Sequence, residues 1–368
     1  MGRALGETIR GASGVGFSVK LKTMFKPMRR LTSGLTVDGA RKTGPRVWVC
    51  WVLASGLACG WSTAAAAAED PSQDLSARFE QARRQGAVQL GQRPVYLQSS
   101  ETAERLEGEV LALIEHPLSA VRAALAQAPA WCDILILHLN VKYCRVTPAP
   151  ASGAMQRLEV GLGRKFDEPL SSVHWLLFSF RATAPHSTPN LEAPVEPGSR
   201  LADVELHALE GPLDTRNIRI TVRTAPAAGG RTLLQLRYAY AQGPAARWAM
   251  QLYLATVGRH KLGFSLASER DRRTDRVDRS EGAELRGKPV TGVRALLERN
   301  TVRYYLAIDA YLDALVLPPA QQLERRLVDW FAATERHPAQ LHELDVETYL
   351  QMKRLEVRRQ QTEPPPRH

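Results

Sequence analysis

"VTGVRALLERNTVRYYLAIDAYLDAL", residues 290–315, decides how the rest of this chain is read. Val293, Leu296, Leu297, Tyr304, Ile308, Tyr311, Leu312 and Leu315 recur at three- and four-residue intervals, and no proline interrupts them, so one amphipathic helix is predicted. At ~1.5 Å per residue it spans about 40 Å, enough to cross a whole β-sheet. A helix of that length with one apolar side requires a surface to lie on, and the residues before it supply one.

From Val141 to Tyr240 the pattern changes to short strands separated by turn residues: 156–165, 173–184, 201–211, 217–225 and 232–240. In the fourth of these, Ile218, Ile220 and Val222 face one way and Asn217, Arg219, Thr221 and Arg223 the other, which is the period of a half-buried strand. Ala227-Ala228-Gly229-Gly230 makes a tight connection between the last two, so an antiparallel meander is favoured over a parallel sheet. Upstream, 105–116 reads as a strand stopped by Pro117, followed by a helix from Pro117 and a second helical piece after Pro129 that carries Cys132. Residues 71–90 read as an amphipathic helix with Leu75, Phe79 and Ala82 at helical spacing. Downstream of the strands, 244–257 reads as a helix, the balanced charged run 269–288 as a solvated excursion, and 319–335 and 343–360 as two helices split by His337-Pro338. The Pro-rich stretch 185–198 reads as a surface loop and the tail from 361 as disordered.

The ends of the chain bear on its compartment. Ten Lys/Arg against Glu7 and Asp38 place eight of the eleven net positive charges in the first 68 residues, leaving three for the rest. With so modest a balance and no arginine stripe interleaved with aromatics, nucleic acid is not an expected partner. The basic stretch leads into an uncharged apolar run from Val47 to about Trp61 and then Ala66-Ala67-Ala68, the pattern of an export signal cleaved near Ala68. An uncleaved anchor is the alternative, since Val47–Ala68 is long enough to span a bilayer, and either reading puts the body outside the cytoplasm. Met24 and Met28 are further candidate starts.

Outside that leader the chain has two cysteines, Cys132 and Cys144. In an oxidising compartment two thiols tend to pair; free buried thiols, or a redox or metal role, are the alternatives. Twelve residues of helix separate two Cα atoms by about 18 Å and twelve of strand by about 40 Å, whereas a disulfide needs less than ~7 Å. A bridge therefore requires the chain to double back, around His138-Leu139-Asn140.

A strand, two helices, a run of antiparallel strands and one long helix is an order that resembles the helix-grip fold of the START and SRPBCC superfamily, over roughly residues 95–315. The resemblance implies an α+β fold in which a curved antiparallel sheet grips the long helix around a cavity. Extra C-terminal helices, the helix at 244–257 and the disulfide depart from the minimal family pattern. The implied organisation is a leader (1–68), an N-terminal helix and linker (69–94), the gripping domain (95–315), a helical extension (316–360) and a tail (361–368). The superfamily commonly binds lipids or other apolar ligands, and some members are cyclases or hydrolases. A cavity of this kind would orient a ligand with Asn300, Arg303 and Tyr304 on the long helix and Tyr238 and Tyr240 on the last strand, while Arg216 and Arg219 could meet an anionic group.

Catalytic signatures are lacking. No G-x-S-x-G, H-E-x-x-H, Walker loop or dinucleotide fingerprint is present, no metal or cofactor is expected, and "GLGRK" at 161–165 is too short for a phosphate loop. His174, His207 and Asp309 are candidate acid–base groups with nothing in sequence linking them. The leading expectation is thus an exported carrier of an apolar small molecule. A cell-envelope scaffold or membrane contact through the C-terminal helices, and an enzyme on the same fold, stand as alternatives; oligomeric state is not legible.

Overall fold

The computed structural model describes residues 71–86, 88–90, 93–147, 155–164, 166–183, 203–244, 247, 250, 254, 261–266 and 288–363. The expected leader, the 185–198 loop, all but Lys288 of the charged run, and most of the tail lie outside these residues. The expected helix at 244–257 is described at Pro244, Arg247, Met250 and Leu254, all four helical. The described strands are β1 (Val88–Leu90), β2 (Arg93–Glu101), β3 (Arg105–Ile114), β4 (Val141–Thr147), β5 (Arg157–Leu162), β6 (His174–Ala182), β7 (Val204–Glu210), β8 (Thr215–Ala227) and β9 (Arg231–Gln242). The helices are α1 (Pro71–Gln85), α2 (Leu118–Leu125), α3 (Ala128–Leu135), α4 (Gly292–Ala314), α5 (Pro319–Glu335), α6 (Pro338–Leu341) and α7 (Val346–Thr362).

The strands form one antiparallel sheet in the order β1-β2-β3-β9-β8-β7-β6-β5-β4. Each neighbour is the next or previous strand except where β3 meets β9, and that single long-range pairing joins the β1–β3 run to the β4–β9 meander. The tight β8–β9 connection runs through Gly229 and Gly230, at φ +75° and +71°, a conformation open to glycine without penalty. Alternation in β8 holds: Ile218, Ile220 and Val222 lie in the main core.

β2 was not legible as a strand: after the expected helix, α1, the described residues of the expected linker belong to strand β1 and the start of β2. The reason is two-sided burial. Val95 and Leu97 point into the main core, while Tyr96, with Leu111 and Leu233, lies under α1 on the opposite face. Leu75 and Ala82 of α1 seal that second cluster, and Phe79 meets Tyr96 edge-to-face at 5.1 Å. A strand covered on both faces loses the period-2 signature.

α4 lies on the inner face of the sheet, as the long helix was expected to do. It is not amphipathic in the expected sense, however: Glu298, Arg299 and Arg303 are buried along with its apolar residues, while Leu315, placed on the predicted stripe, is 38% exposed at the helix end. The sheet covers one flank and the C-terminal helices the other. Leu327 and Trp330 of α5, Leu341 of α6 and Tyr349 and Met352 of α7 belong to the same core as the sheet. Trp330 Nε1 donates to Arg303 O at 3.1 Å, and the Trp330 and Tyr349 rings stack at 5.2 Å. The helices expected as an extension are part of one core.

The α3–β4 corner is fixed three ways. Cys132 and Cys144 form a disulfide across a Cα separation of 5.2 Å, and the chain does reverse at 136–140 between them. Tyr349 Oη donates to Leu137 O at 3.0 Å, and Cys144 N to Gln360 Oε1 at 2.6 Å. Beneath them lies a fully buried charged group. Lys142 Nζ donates to Glu356 Oε1 (2.8 Å) and Leu139 O (2.9 Å), and Lys353 Nζ donates to Glu356 Oε2 (2.7 Å), His138 O (2.7 Å) and Val141 O (2.8 Å).

Candidate functional site

Gly108 sets the distance between α4 and the sheet. A Cβ there would run into the Thr301 side chain and touch Leu297 Cγ at 3.4 Å, so the helix rests directly on the strand backbone. Gly108 pairs with Tyr238 and Leu106 with Tyr240, which carries both tyrosines of β9 beside the helix on the inner face. On α4 the neighbouring stripe is Leu296, Asn300 and Tyr304, at four-residue spacing.

These residues converge. Tyr240 lies 5.6 Å from Tyr238, Tyr238 meets Tyr304 edge-to-face at 5.2 Å, and Tyr304 stacks on His138 at 5.3 Å. Burial pushes the Tyr240 and Tyr304 phenols up to about 12 and that of Tyr238 well above its usual 10. Nevertheless Leu296, Asn300, Tyr304, Tyr238 and Tyr240 are only half-buried. None of the three phenol oxygens has a hydrogen-bond partner among the described residues, and none is sealed from solvent. These desolvated rings retain accessible surface and unused hydroxyls, and they pack against the main core between the sheet and the helix. Leu106, Val293 and Leu297, with Met250 and Leu254, form an apolar cluster beside Tyr238 and Tyr240.

His138, which the sequence marked only as a turn residue, orders the polar end. Its Nδ1 accepts from Asn140 N at 3.2 Å, so the proton of the neutral ring is on Nε2, facing Asn300 Oδ1 at 3.4 Å. The ring stays neutral because burial, joined by Arg303, Lys353 and Lys142, pushes it down to about 3.

The other expected site residues are placed elsewhere. Arg303 turns toward the C-terminal helices, donating to Leu341 O (3.1 Å) and Glu343 Oε1 (3.4 Å); burial and the neighbouring Arg299 lower it to about 10. Arg219 projects from the outer face of β8 onto Glu205 at 3.0 Å, and Arg216 is exposed and paired with Asp214 at 2.6 Å. Neither arginine joins this group: inward positions in β8 are the alternate ones, Ile218 and Ile220, which turns Arg219 outward, and the ladder is irregular between Arg216 and Arg219. A cleft of about 980 Å³ lies along β2 and is lined in part by Tyr96, Leu97, Ser99, Phe264 and Arg294. Its lining mixes both faces of β2.

The acid–base candidates do not meet. His174 is exposed at the start of β6, and His207 pairs opposite Arg219 on β7. Asp309 touches neither: its Oδ1 accepts from Arg93 Nη1 at 2.6 Å, beside a His116–Asp313 pair at 2.8 Å. Burial, opposed by Arg93 and reinforced by Asp313, raises Asp309 to about 6. A folded value above the unfolded one means that this group's contribution to stability is fully present below about 3.8 and is lost as pH rises through about 6. Urea midpoints of the wild type minus those of Asp309→Asn should therefore fall between pH 4.5 and 7; a difference independent of pH would refute the assignment.

Two helices following β3, six further antiparallel strands and one long helix seated on the inner face reproduce the gripping arrangement. The fold is of the helix-grip type. No protein-family model matches the sequence, and no curated protein matches it. Solved structures similar to it include an aromatase/cyclase from Streptomyces sp. R1128, at 12% identity and a TM-score of 0.32 over 58% of this chain and 96% of that one. A norcoclaurine synthase from Thalictrum flavum aligns at 12% identity and a TM-score of 0.28, over 41% and 86%. A START superfamily protein from Mycobacterium smegmatis aligns at 10% and 0.25, over 42% and 92%. At these values the fold assignment rests on strand order and helix placement.

Proposed function

We propose that this chain is an exported binding protein that holds an apolar small molecule in a recess between β9 and α4. The observation that carries the reading is the set of desolvated but half-buried tyrosines, Tyr238, Tyr240 and Tyr304, whose hydroxyls have no protein partner among the described residues. Apolar surface transferred into such a space gains ~25 cal/mol per Å², and the unused phenols supply hydrogen bonds that orient what enters. The disulfide fits an oxidising compartment, and the leader pattern fits export. A carrier is favoured over an enzyme because His174, His207 and Asp309 do not meet one another.

The experiment is denaturing extraction of protein purified from its own host, followed by mass spectrometry of the organic phase. One apolar compound per chain is expected from the wild type and little from Leu296→Trp, which fills the stripe without touching a polar group. Equal recovery from both proteins would place the ligand elsewhere, the β2 cleft first.

A further inference from the structure

We infer that the ligand of this recess is an amphiphile with a carboxylate head, taken by the Asn300 side-chain amide and the Tyr304 hydroxyl; the inference rests on the binding reading above.

The polar groups at this end form a chain of hydrogen bonds with a direction. The backbone N–H of Asn140 is donated to His138 Nδ1, which leaves the only imidazole proton on Nε2. That proton faces Asn300 Oδ1, so the amide oxygen is occupied and the amide NH2 is turned to the other side as a donor. Tyr304, one turn along the same stripe and stacked on His138, adds a hydroxyl with no partner among the described residues. Both groups can donate, and a ligand acceptor completes both.

Charge selects the acceptor. Arg303, Lys353 and Lys142 are the charged groups felt at His138, and all three are positive. Their acids are already engaged: Glu356 is shared by the two lysines, and Glu343 accepts from Lys261, Arg299 and Arg303. Arg303, 5% exposed, also keeps an Nε–H with no partner. A neutral ester oxygen would satisfy the two donors, but only an anion also answers the field, and charge-assisted bonds to it are roughly twice as strong as neutral ones. A carboxylate offers two oxygens to two donors; a cationic head is repelled.

The test compares dodecanoate, its methyl ester, dodecyl phosphate and dodecylamine, each below its micellar concentration, by titration calorimetry against the purified protein. Dodecanoate should bind about tenfold tighter than the ester, and the amine weakest. Asn300→Leu and Tyr304→Phe should each erode the acid-over-ester preference while ester binding survives, and either variant alone decides the point if the other fails to fold. Equal affinity for acid and ester, or a preference unchanged in a folded variant, overturns the carboxylate head and leaves the binding reading standing. Tighter binding of the phosphate reassigns the head. Absence of binding by all four probes overturns the binding reading itself.

Discussion

Glu356→Leu should destabilise the protein by about 3–5 kcal/mol, the largest single effect anticipated, because it strands two buried ammonium groups. Lys142, Lys353 and Glu356 are each 0% exposed, and among the described residues the carboxylate is the one acid that either lysine contacts. Burial already lowers Lys353 to about 8, opposed by Glu356. With the acid gone Lys353 would be driven further toward the neutral form. The folded state then binds fewer protons than the unfolded chain, so stability rises with pH and the defect should shrink between pH 7 and 9. Converting all three residues to apolar ones should recover only part of the loss, since Leu139 O, His138 O and Val141 O would lose their donors. Urea unfolding of the oxidised protein at several pH values measures all of this. A loss under 1 kcal/mol, or one insensitive to pH, would show that α7 is not anchored through these charges.

The second large effect is expected at Gly108→Ala. One methyl group at this position enters the space of the Thr301 side chain, and overpacking of this kind costs about 2–3 kcal/mol. Thr301→Ala should relieve it, because the obstruction is a side-chain atom. The double-mutant cycle should give a coupling of at least about 1 kcal/mol. Additive effects would mean that α4 does not rest on β3 at this point. The same substitution shifts the helix against Tyr238, so ligand affinity should fall with stability.

Much of the fold could be read directly from residue spacing. Alternation in β8, the Gly-Gly connection into β9, the reversal between Cys132 and Cys144, and the prolines opening α2 and α3 are local signals, and each has its structural counterpart. What escaped was whatever depends on two-sided packing. Val95-Tyr96-Leu97 reads as an undirected apolar triplet because α1 covers one face of β2 and the core the other. Glu298, Arg299 and Arg303 made α4 look half-wet because nothing in the local sequence says that α5 and α7 will cover them. The site divided the same way. Tyr238, Tyr240, Asn300 and Tyr304 lie together because alternation and helical spacing put them on inward faces. Arg216 and Arg219 were misplaced by their charge, although the inward parity of Ile218 and Ile220 already pointed Arg219 outward. His138 was missed because its role comes from partners 2 and 162 positions away, and a lone turn histidine carries no spacing to detect.

Native mass spectrometry of the mature, disulfide-intact protein as isolated, beside Leu296→Trp, tests the central claim most directly. The account predicts a single bound apolar molecule on the wild-type chain, released on denaturation, and a bare chain for the variant. A wild type that travels without any adduct and gains none from dodecanoate would contradict it.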